Sequence, residues 1–395
     1  MGSKKIVKIS FGNSAIAMII STIIILSCVS LAAEKKLLKS EKIIYVDDEG
    51  GADYIKIQDA INNASNGDTI FVFNGKYNEE NLTINKSINL IGENKYFTII
   101  DGCRGNNTVN IISENVILSG FTVTNSSNKN WFLAGIRLTG SKNKIYGNII
   151  KNNQLGIFGK AVTNIYIYDN IFYNDGIIFS LYDENFITPY DDKYFVHTIN
   201  NNTVNGKKIY YYLNQNDILV PNDAGQIIAV NCCGLEIENL NLSNTDFPII
   251  FVNCKNSKIV KSEIINNDGI VWLIHSRRNV ISRCEISNNF EGIVLDTESM
   301  FNTVAFNNFR NNIYCGIIIE DKSNFNIIYR NNFIGNNQIA PILSAAFIEC
   351  FKNIWKKNFW DRGKILPKII FGYDDNRKIK WVNFDWTPAL LPNIV

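Results

Sequence analysis

Three residues that could bind a soft metal ion recur at similar points of successive repeats. Cys232 and Cys254 are 22 residues apart, and His275 follows 21 residues later, each after a short apolar segment. Thiolate and imidazole groups are ligands of copper and zinc. If each interval is one coil of a stacked structure, neighbouring side chains about 4.8 Å apart could also form a disulfide. The alternatives are a metal site, a disulfide from Cys254 to Cys232 or Cys233, and free thiols packed at a corner. We expect the last of these and no resident cofactor, with copper as the alternative.

Two acidic pairs could supply the acid and base of a polysaccharide-active enzyme. Asp183 with Glu184 and Asp191 with Asp192 lie in the irregular segment SLYDENFITPYDDKYF. A hydrolase needs carboxylates that face one groove, and a lyase needs an acidic calcium site and a base. Adjacent acidic residues in an exposed loop are usually only solvated. The sequence therefore favours a non-catalytic protein and leaves the enzyme as an alternative.

The same insert, about residues 180–220, is rich in tyrosine. Tyrosine combines a flat apolar face with a polar tip, which suits contact with a glycan. The predicted ligand-binding residues are Tyr182, Tyr190, Tyr194, Tyr210, Tyr211 and Tyr212.

These residues must be positioned by a repeating structure. Gly269, Gly292 and Gly316 are spaced by 23 and 24 residues, and each opens a short apolar strand followed by a polar turn and a second strand. An asparagine pair closes each unit. A period of about 20–25 residues without a helical segment predicts a right-handed parallel β-helix, an all-β solenoid in which each coil stacks on the previous one. Asparagine tolerates left-handed corners and can stack into amide ladders.

Three regions follow from this pattern. Residues 1–33 contain lysines followed by a long apolar run and Ser30-Leu31-Ala32, which predicts a signal peptide or an N-terminal membrane anchor. Residues 42–340 form the predicted β-helix, and its first coil is expected to be covered by a short helix with Ile57, Ala60, Ile61 and Ala64 on one face. Residues 341–395 form a predicted aromatic-rich cap, whose tryptophans are Trp355, Trp360, Trp381 and Trp386.

The overall composition excludes some classes of partner. The 395-residue chain is 46% hydrophobic and 19% charged, with a formal net charge of +2 and no basic block. We therefore expect no nucleic-acid partner, and membrane contact only through the N-terminal segment.

Three stretches resemble known β-helix families. IIYVDDEGG at residues 43–51 opens a segment similar to the start of pectin-lyase-like proteins, including pectin methylesterases. TVNGKKIYYYLNQ at 203–215 and NIWKKNFWDRG at 353–363 resemble NosD-like β-helix proteins, which are common on archaeal surfaces. The resemblance implies a link either to copper, through the periplasmic protein that gives the group its name, or to carbohydrate binding and sugar hydrolysis. The paired aspartates, glutamines and arginine of a pectin methylesterase have no counterparts here.

The sequence as a whole predicts an extracytoplasmic protein, secreted or anchored at the cell surface. We expect a non-catalytic binding or scaffold protein whose partners are cell-surface glycans or envelope proteins. A polysaccharide-active hydrolase or lyase and a periplasmic-type copper-binding protein are the alternatives.

Overall fold

In the computed structural model, short strands stack in parallel into a β-helix of about 13 turns, which confirms the predicted all-β solenoid. The structure describes residues 42–182, 189–337, 346–348, 350, 352–373 and 379–395. The predicted signal peptide or anchor at 1–33, and the acidic pair Asp183 and Glu184, lie outside the described residues. None of the helices found in the described ranges is long and apolar enough to cross a membrane.

The first half of the β-helix contains three columns of parallel strands. Column 1 consists of Ile43–Val46, Thr69–Val72, Asn89–Gly92, Ile117–Ser119, Lys144–Tyr146, Tyr166–Tyr168 and Thr198–Asn200. Column 2 consists of Leu82–Ile84, Val109–Ile111, Ile136–Leu138, Ile157–Lys160 and Ile177–Ser180. Column 3 consists of Gly75–Asn78, Thr98–Asp101, Thr122–Thr124, Ile149–Lys151, Ile171–Tyr173 and Thr203–Val204.

The second half repeats the arrangement of three columns. Column 4 consists of Ala224–Val230, Ile249–Val252, Val271–Ile274, Glu291–Asp296, Cys315–Ile319, Ala346–Ile348 and Lys368–Tyr373. Column 5 consists of Glu236–Glu238, Lys258–Val260, Val280–Ser282, Thr303–Ala305, Ile327–Tyr329, Ile354–Lys356 and Ile379–Asp385. Column 6 consists of Asn241–Ser243, Glu263–Ile265, Glu285–Ser287, Asn308–Arg310, Asn332–Ile334 and Phe359–Trp360.

Two antiparallel pairings interrupt the parallel stack. Lys207–Leu213 turns back on Thr203–Val204 and then pairs in parallel with Ala224–Val230, which joins the two halves. Near the C-terminal end, Lys368–Tyr373 pairs antiparallel with Ile379–Asp385.

Inward-facing aliphatic side chains fill the coils. Successive side chains of a strand point to opposite faces, so every second residue enters the interior. In column 1, residues at equivalent register positions form one aliphatic stack, and each is at most 6% exposed: Ile44, Ile70, Leu90, Leu118, Ile145, Ile167 and Ile199. Burial of one such side chain contributes roughly 1.5–3 kcal/mol. This repeated burial holds successive coils together.

The two residues of an asparagine pair have different roles at a corner. In the pair Asn288-Asn289, the first residue takes the left-handed conformation, with φ of 55°. The second is buried and stacks on its equivalents in neighbouring coils: the Asn289 amide donates to Asn312 Oδ1 at 3.2 Å and to the Ile264 carbonyl at 2.9 Å. The predicted use of asparagine for corners and amide ladders is confirmed.

The predicted helix forms near the N-terminal end of the β-helix, and two of the four predicted tryptophans are buried near the other end. The helix spans Ile57–Asn63, contacts the first strands of columns 1 and 2, and buries Ile57, Ala60, Ile61 and Ala64. Near the other end, Trp360 stacks on Phe333 with ring centroids 4.5 Å apart, and Trp355 is also buried. Trp386 is 67% exposed, and the side chain of Trp381 lies outside the part that the structure describes.

Candidate functional site

The outer face of column 4 is apolar and covered. Trp272, Val294 and Ile318 are neighbours in register, and they point away from the coil interior that Leu273 and Leu295 fill. Trp272 is nevertheless only 8% exposed, and Val294 only 2%. An outer face of a solenoid is buried to this degree only when other segments lie over it.

Two segments cover this face. Trp131, in the loop before Ile136–Leu138, packs on Phe290 with ring centroids 3.8 Å apart. Tyr182 and Tyr190, from the tyrosine-rich insert, pack against the same hydrophobic cluster as Trp272. The two segments leave a cleft over column 4, which we call the outer-face cleft.

The outer-face cleft contains two cavities. The aromatic cavity has a volume of about 150 Å³ and is lined by Trp131, Phe132, Leu155, Phe158, Ile178, Ser180, Phe247, Ile270, Trp272, Glu291, Val294 and Glu320. The tyrosine cavity has a volume of about 220 Å³ and is lined by Leu181, Tyr182, Pro189, Tyr190, His275, Thr297, Glu298, Asp321 and Lys322.

Asp296 connects the linings of the two cavities. Its Oδ2 accepts a hydrogen bond from Trp272 Nε1 at 3.1 Å, and its Oδ1 accepts from Thr297 Oγ1 at 3.0 Å. The Tyr182 hydroxyl lies 3.3 Å from Asp296 Oδ1 and 3.0 Å from Asp321 Oδ2. The Tyr182 hydroxyl has one proton, so it can donate to only one of these two carboxyls, Asp296 or Asp321. A proton on one of the carboxyls would supply a second hydrogen bond in the network.

Asp296 and Glu320 are neighbours on adjacent coils. Leu295 pairs with Ile319, so the residues that follow them stand side by side, and Glu320 N donates to the Leu295 carbonyl at 2.9 Å. The spacing of parallel strands places their Cα atoms about 4.8 Å apart. Glu291 and Glu320 both line the aromatic cavity, and Asp296 is hydrogen-bonded to the lining residue Trp272.

Burial and mutual repulsion alter the protonation of these carboxyls. Burial raises the pKa of Glu291 to about 7. Burial, with the charge of Asp321 adding to it, raises the pKa of Asp296 to about 6. Burial and then the charges of Asp296 and Glu291 raise the pKa of Glu320. Carboxyls in a cleft whose raised pKa favours the uncharged form are typical of binding and acid–base sites.

This carboxyl cluster was not predicted from the sequence. Asp296 ends the segment GIVLD and Glu320 ends GIIIE, at equivalent positions of two repeats. Aligning acidic residues along the repeat, as was done for cysteine, would have found this pair. The acidic pairs predicted as catalytic candidates belong instead to the insert.

The predicted tyrosines do not form one site. Tyr182 and Tyr190 line the tyrosine cavity. Tyr210 and Tyr212 stack on each other with centroids 5.7 Å apart, and the Tyr211 hydroxyl donates to the Phe195 carbonyl at 2.7 Å. The four that do not line either cavity are Tyr194, Tyr210, Tyr211 and Tyr212.

Asp191 and Asp192 belong to neither cavity lining, although they follow Tyr190 in the chain. Asp191 caps the short 3-10 helix Asp192–Phe195, where its side chain accepts from Lys193 N at 3.0 Å. It also pairs with the Lys193 ammonium at 2.5 Å. Its observed role is therefore local.

Cys232 and Cys254 occupy a ladder that continues in serine. Cys254 N donates to Ser276 Oγ at 3.0 Å, and the Cys254 thiol donates to the Ala229 carbonyl at 3.3 Å. The register that places His275 in this column is wrong by one residue, because Val252 pairs with Ile274 and Ser276 is therefore the neighbour of Cys254. The cysteine replaces the polar residue found at this corner in later coils.

His275 lies at the corner beside that ladder. Its φ of 49° is left-handed, and its ring stacks on Tyr190 with centroids 4.6 Å apart. Nδ1 of the ring is buried without a hydrogen-bond partner. His275 therefore belongs to the lining of the tyrosine cavity.

The described residues do not form an evident metal site. No group of three or more His, Cys, Asp or Glu side chains able to hold a metal ion is found in the described ranges. Cys232, Cys254 and His275 are thus not gathered as copper ligands. The seven described cysteines, among them Cys232, Cys233 and Cys254, are free thiols.

Comparison with protein families gives one match. A family model described as "Periplasmic copper-binding protein (NosD)" matches residues 183–363, a little under half of the chain. The comparison with curated proteins found no significant match.

Several solved structures are similar to the chain at a low level. The mannuronan C-5 epimerase AlgE6 A-module of Azotobacter vinelandii is 13% identical, with 75% of this chain and 92% of that chain covered and a TM-score of 0.32. The GH136 lacto-N-biosidase of Eubacterium ramulus is 10% identical, with coverages of 92% and 70% and a TM-score of 0.34. Pectate lyase Pel9A is 13% identical, with coverages of 82% and 80% and a TM-score of 0.29. At these scores the neighbours carry no argument about function.

Proposed function

We propose that this parallel β-helix protein, whose residues 183–363 match the NosD family model, is an exported protein that binds carbohydrate in the outer-face cleft. The observation that carries the proposal is the convergence of aromatic rings and carboxyls in one cleft over column 4. Aromatic faces pack on the apolar faces of sugar rings, and carboxyls accept hydrogen bonds from sugar hydroxyls. Glycans of the cell surface, free or carried by envelope proteins, are the proposed partners.

Two observations support an extracytoplasmic location. Residues 1–33 have the pattern of a signal peptide or anchor, and the matching family is described as periplasmic. We expect the protein in the extracytoplasmic fraction of expressing cells. Sequencing of the mature N-terminus will distinguish a cleaved signal from a retained anchor, and recovery of the full chain in the cytosol would contradict export.

Trp131 provides the direct test of binding, since it is 41% exposed and lines the aromatic cavity. Loss of one aromatic platform typically removes about 1 kcal/mol, so Trp131→Ala should weaken oligosaccharide binding by about fivefold to tenfold. Trp386→Ala is the matched control, because Trp386 is exposed but belongs to neither cavity lining. Isothermal titration against a panel of neutral, acidic and amino oligosaccharides measures both. Failure of the unmodified protein to bind any of them would contradict the proposal.

The pairing of Asp296 with Glu320 favours hydrolysis as a second candidate. Glu320, held neutral, would donate its proton to the glycosidic oxygen as the bond from that oxygen to the anomeric carbon breaks. Ionised Asp296 would attack the anomeric carbon as that bond breaks, and a water deprotonated by Glu320 would then release the sugar from Asp296, because carboxyls on adjacent coils suit a retaining mechanism. One water is consumed, and two sugar ends are released.

An assay for new reducing ends tests hydrolysis on the same panel. Glu320→Gln and Asp296→Asn should each lower the rate by at least about 100-fold, because the first removes the acid–base group and the second removes the nucleophile. Asp191→Asn and Asp192→Asn serve as controls from the insert. A rate unaffected by the first two substitutions would exclude this mechanism, and absence of product from every polymer would leave binding alone.

A further inference from the structure

The linings of the outer-face cleft contain more acidic than basic side chains. Its two cavities are lined by Glu291, Glu298, Glu320 and Asp321, against one lysine, Lys322. Glu298 is paired with Arg277 at 3.5 Å, which leaves three lining carboxyls and the adjacent Asp296. Arg137 and Lys160 lie on neighbouring strands of column 2, and each of them already has a partner. The lining therefore carries an excess of acid.

Two of these carboxyls are without a counter-ion. Among the described residues, no hydrogen bond or ion pair is found for the carboxyls of Glu291 and Glu320, although both line the aromatic cavity. The charged groups nearest Glu320 are other carboxyls, Asp296, Glu291 and Asp321. A half-buried carboxylate without a partner is destabilised, and a cation in the cavity would lower that cost.

The surroundings of these carboxyls also suit a cation attached to a flat ring. Trp131 and Trp272 line the same cavity as Glu291 and Glu320. Indole faces attract cations and pack against sugar rings. Ammonium groups carried on sugar rings would satisfy both kinds of side chain at once.

Resting on the proposed carbohydrate-binding function, we propose that the outer-face cleft selects polymers of amino sugars with free ammonium groups and rejects polyuronates. A uronate carboxylate would have to enter beside Glu291 and Glu320, would gain no opposite charge there, and would be repelled by each of them in its ionised form. An N-acetylated sugar keeps its ring contacts but supplies no charge. Discrimination therefore depends on one functional group, the free amine.

A matched pair of ligands tests the selection. Glucosamine hexamer and its fully N-acetylated counterpart differ only in the acetyl groups, and an oligogalacturonate of equal length adds the opposite charge. At pH 6 and low salt we expect the free amine to bind at least about tenfold more tightly than the acetylated form, as for a charge-assisted contact, and the galacturonate not to bind. The preference should decrease as salt is raised.

Substitutions and a measurement of proton release identify the residues that select the free amine. The double variant Glu291→Gln, Glu320→Gln should lower the affinity for glucosamine hexamer to that of the acetylated hexamer, whereas Glu263→Gln, an exposed carboxyl of column 6, should not change it. Because burial raises the pKa of both glutamates, a bound ammonium should displace protons from them. Titration in two buffers of different ionisation enthalpy measures this release.

The outcomes separate this inference from the function on which it rests. Equal affinity for the two hexamers, or an unchanged preference in the double variant, would overturn the selection while leaving carbohydrate binding intact. Tighter binding of hexalysine than of glucosamine hexamer would also overturn the selection, because the site would then recognise positive charge without a sugar ring. Loss of binding to every sugar would contradict the proposed function itself.

Discussion

At the residue scale, Asn302 illustrates how the ladders stabilise the coils. Its amide donates to the Ser276 carbonyl at 2.9 Å and to Asn326 Oδ1 at 3.1 Å. Its Oδ1 accepts from Asn279 N at 2.9 Å and from the Asn279 amide at 3.1 Å. All three neighbours are buried, so water cannot replace these bonds.

Asn302→Ala should therefore lower the free energy of unfolding by about 2–4 kcal/mol, since it leaves several buried polar groups unpaired. Asn222→Ala, in an exposed turn before column 4, should change it by less than about 0.5 kcal/mol. Urea denaturation followed by circular dichroism measures both variants. Equal effects of the two substitutions would mean that the ladder contributes little.

A second residue-scale prediction concerns Glu291 and pH. Burial raises the pKa of Glu291 to about 7 in the folded protein, so the folded state binds a proton that the unfolded state has already released. The contribution to stability is present below about pH 4 and is lost as pH rises through 7. Glu291→Gln should thus stabilise the protein at pH 8, by at most about 3 kcal/mol, and should have little effect at pH 4. Denaturation at the two pH values checks this, and a stabilisation that is equal at both would contradict it.

At the element scale, the cysteine ladder allows a conservative exchange. The Ser276 hydroxyl donates to the Phe251 carbonyl at 3.2 Å, as the Cys254 thiol does to the Ala229 carbonyl one coil earlier. Cys254→Ser should therefore cost less than about 1 kcal/mol, and Cys254→Ala should cost more, because the alanine loses the donor. Thermal unfolding of the two variants compares them.

The same folded Cys254→Ser variant tests the copper alternative. If Cys232, Cys254 and His275 bind copper, the reduced protein should take up about one Cu(I) per chain and the variant none. The ladder interpretation instead predicts no uptake by either protein, with the described cysteines reacting as free thiols in denaturant. Stoichiometric uptake lost only in the variant would establish the metal site.

The sequence predicts elements better than it predicts the site, for a physical reason. Coil strands, left-handed corners and amide ladders recur in each repeat and depend on nearby residues. Gly292 therefore predicts the strand that it opens, and Asn288 and Asn289 predict the corner and the ladder that they form. The outer-face cleft depends on contacts such as Trp131 with Phe290 and Tyr182 with Asp321, which join segments more than one hundred residues apart. No periodicity encodes where a loop from an early coil will lie on a later one.

At the scale of the whole molecule, the solenoid serves as a rigid frame for two covering segments. The loop that carries Trp131 begins in the first half, and the carboxyls of Asp296 and Glu320 belong to the second half. Gln226 links the halves at the cleft, accepting from Ile177 N at 3.0 Å and donating to the Ile177 carbonyl at 2.9 Å. The cleft therefore exists only when both halves are folded and joined.

Hydrogen–deuterium exchange with and without a bound amino-sugar hexamer tests the central claim most directly, because it locates the ligand along the entire chain. The account predicts slower exchange in the Trp131 loop, around Tyr182 and in Glu291–Asp296, with no change at the exposed C-terminal segment that contains Trp386. Protection confined to Lys207–Leu213 or to the C-terminal segment would contradict a carbohydrate site in the outer-face cleft.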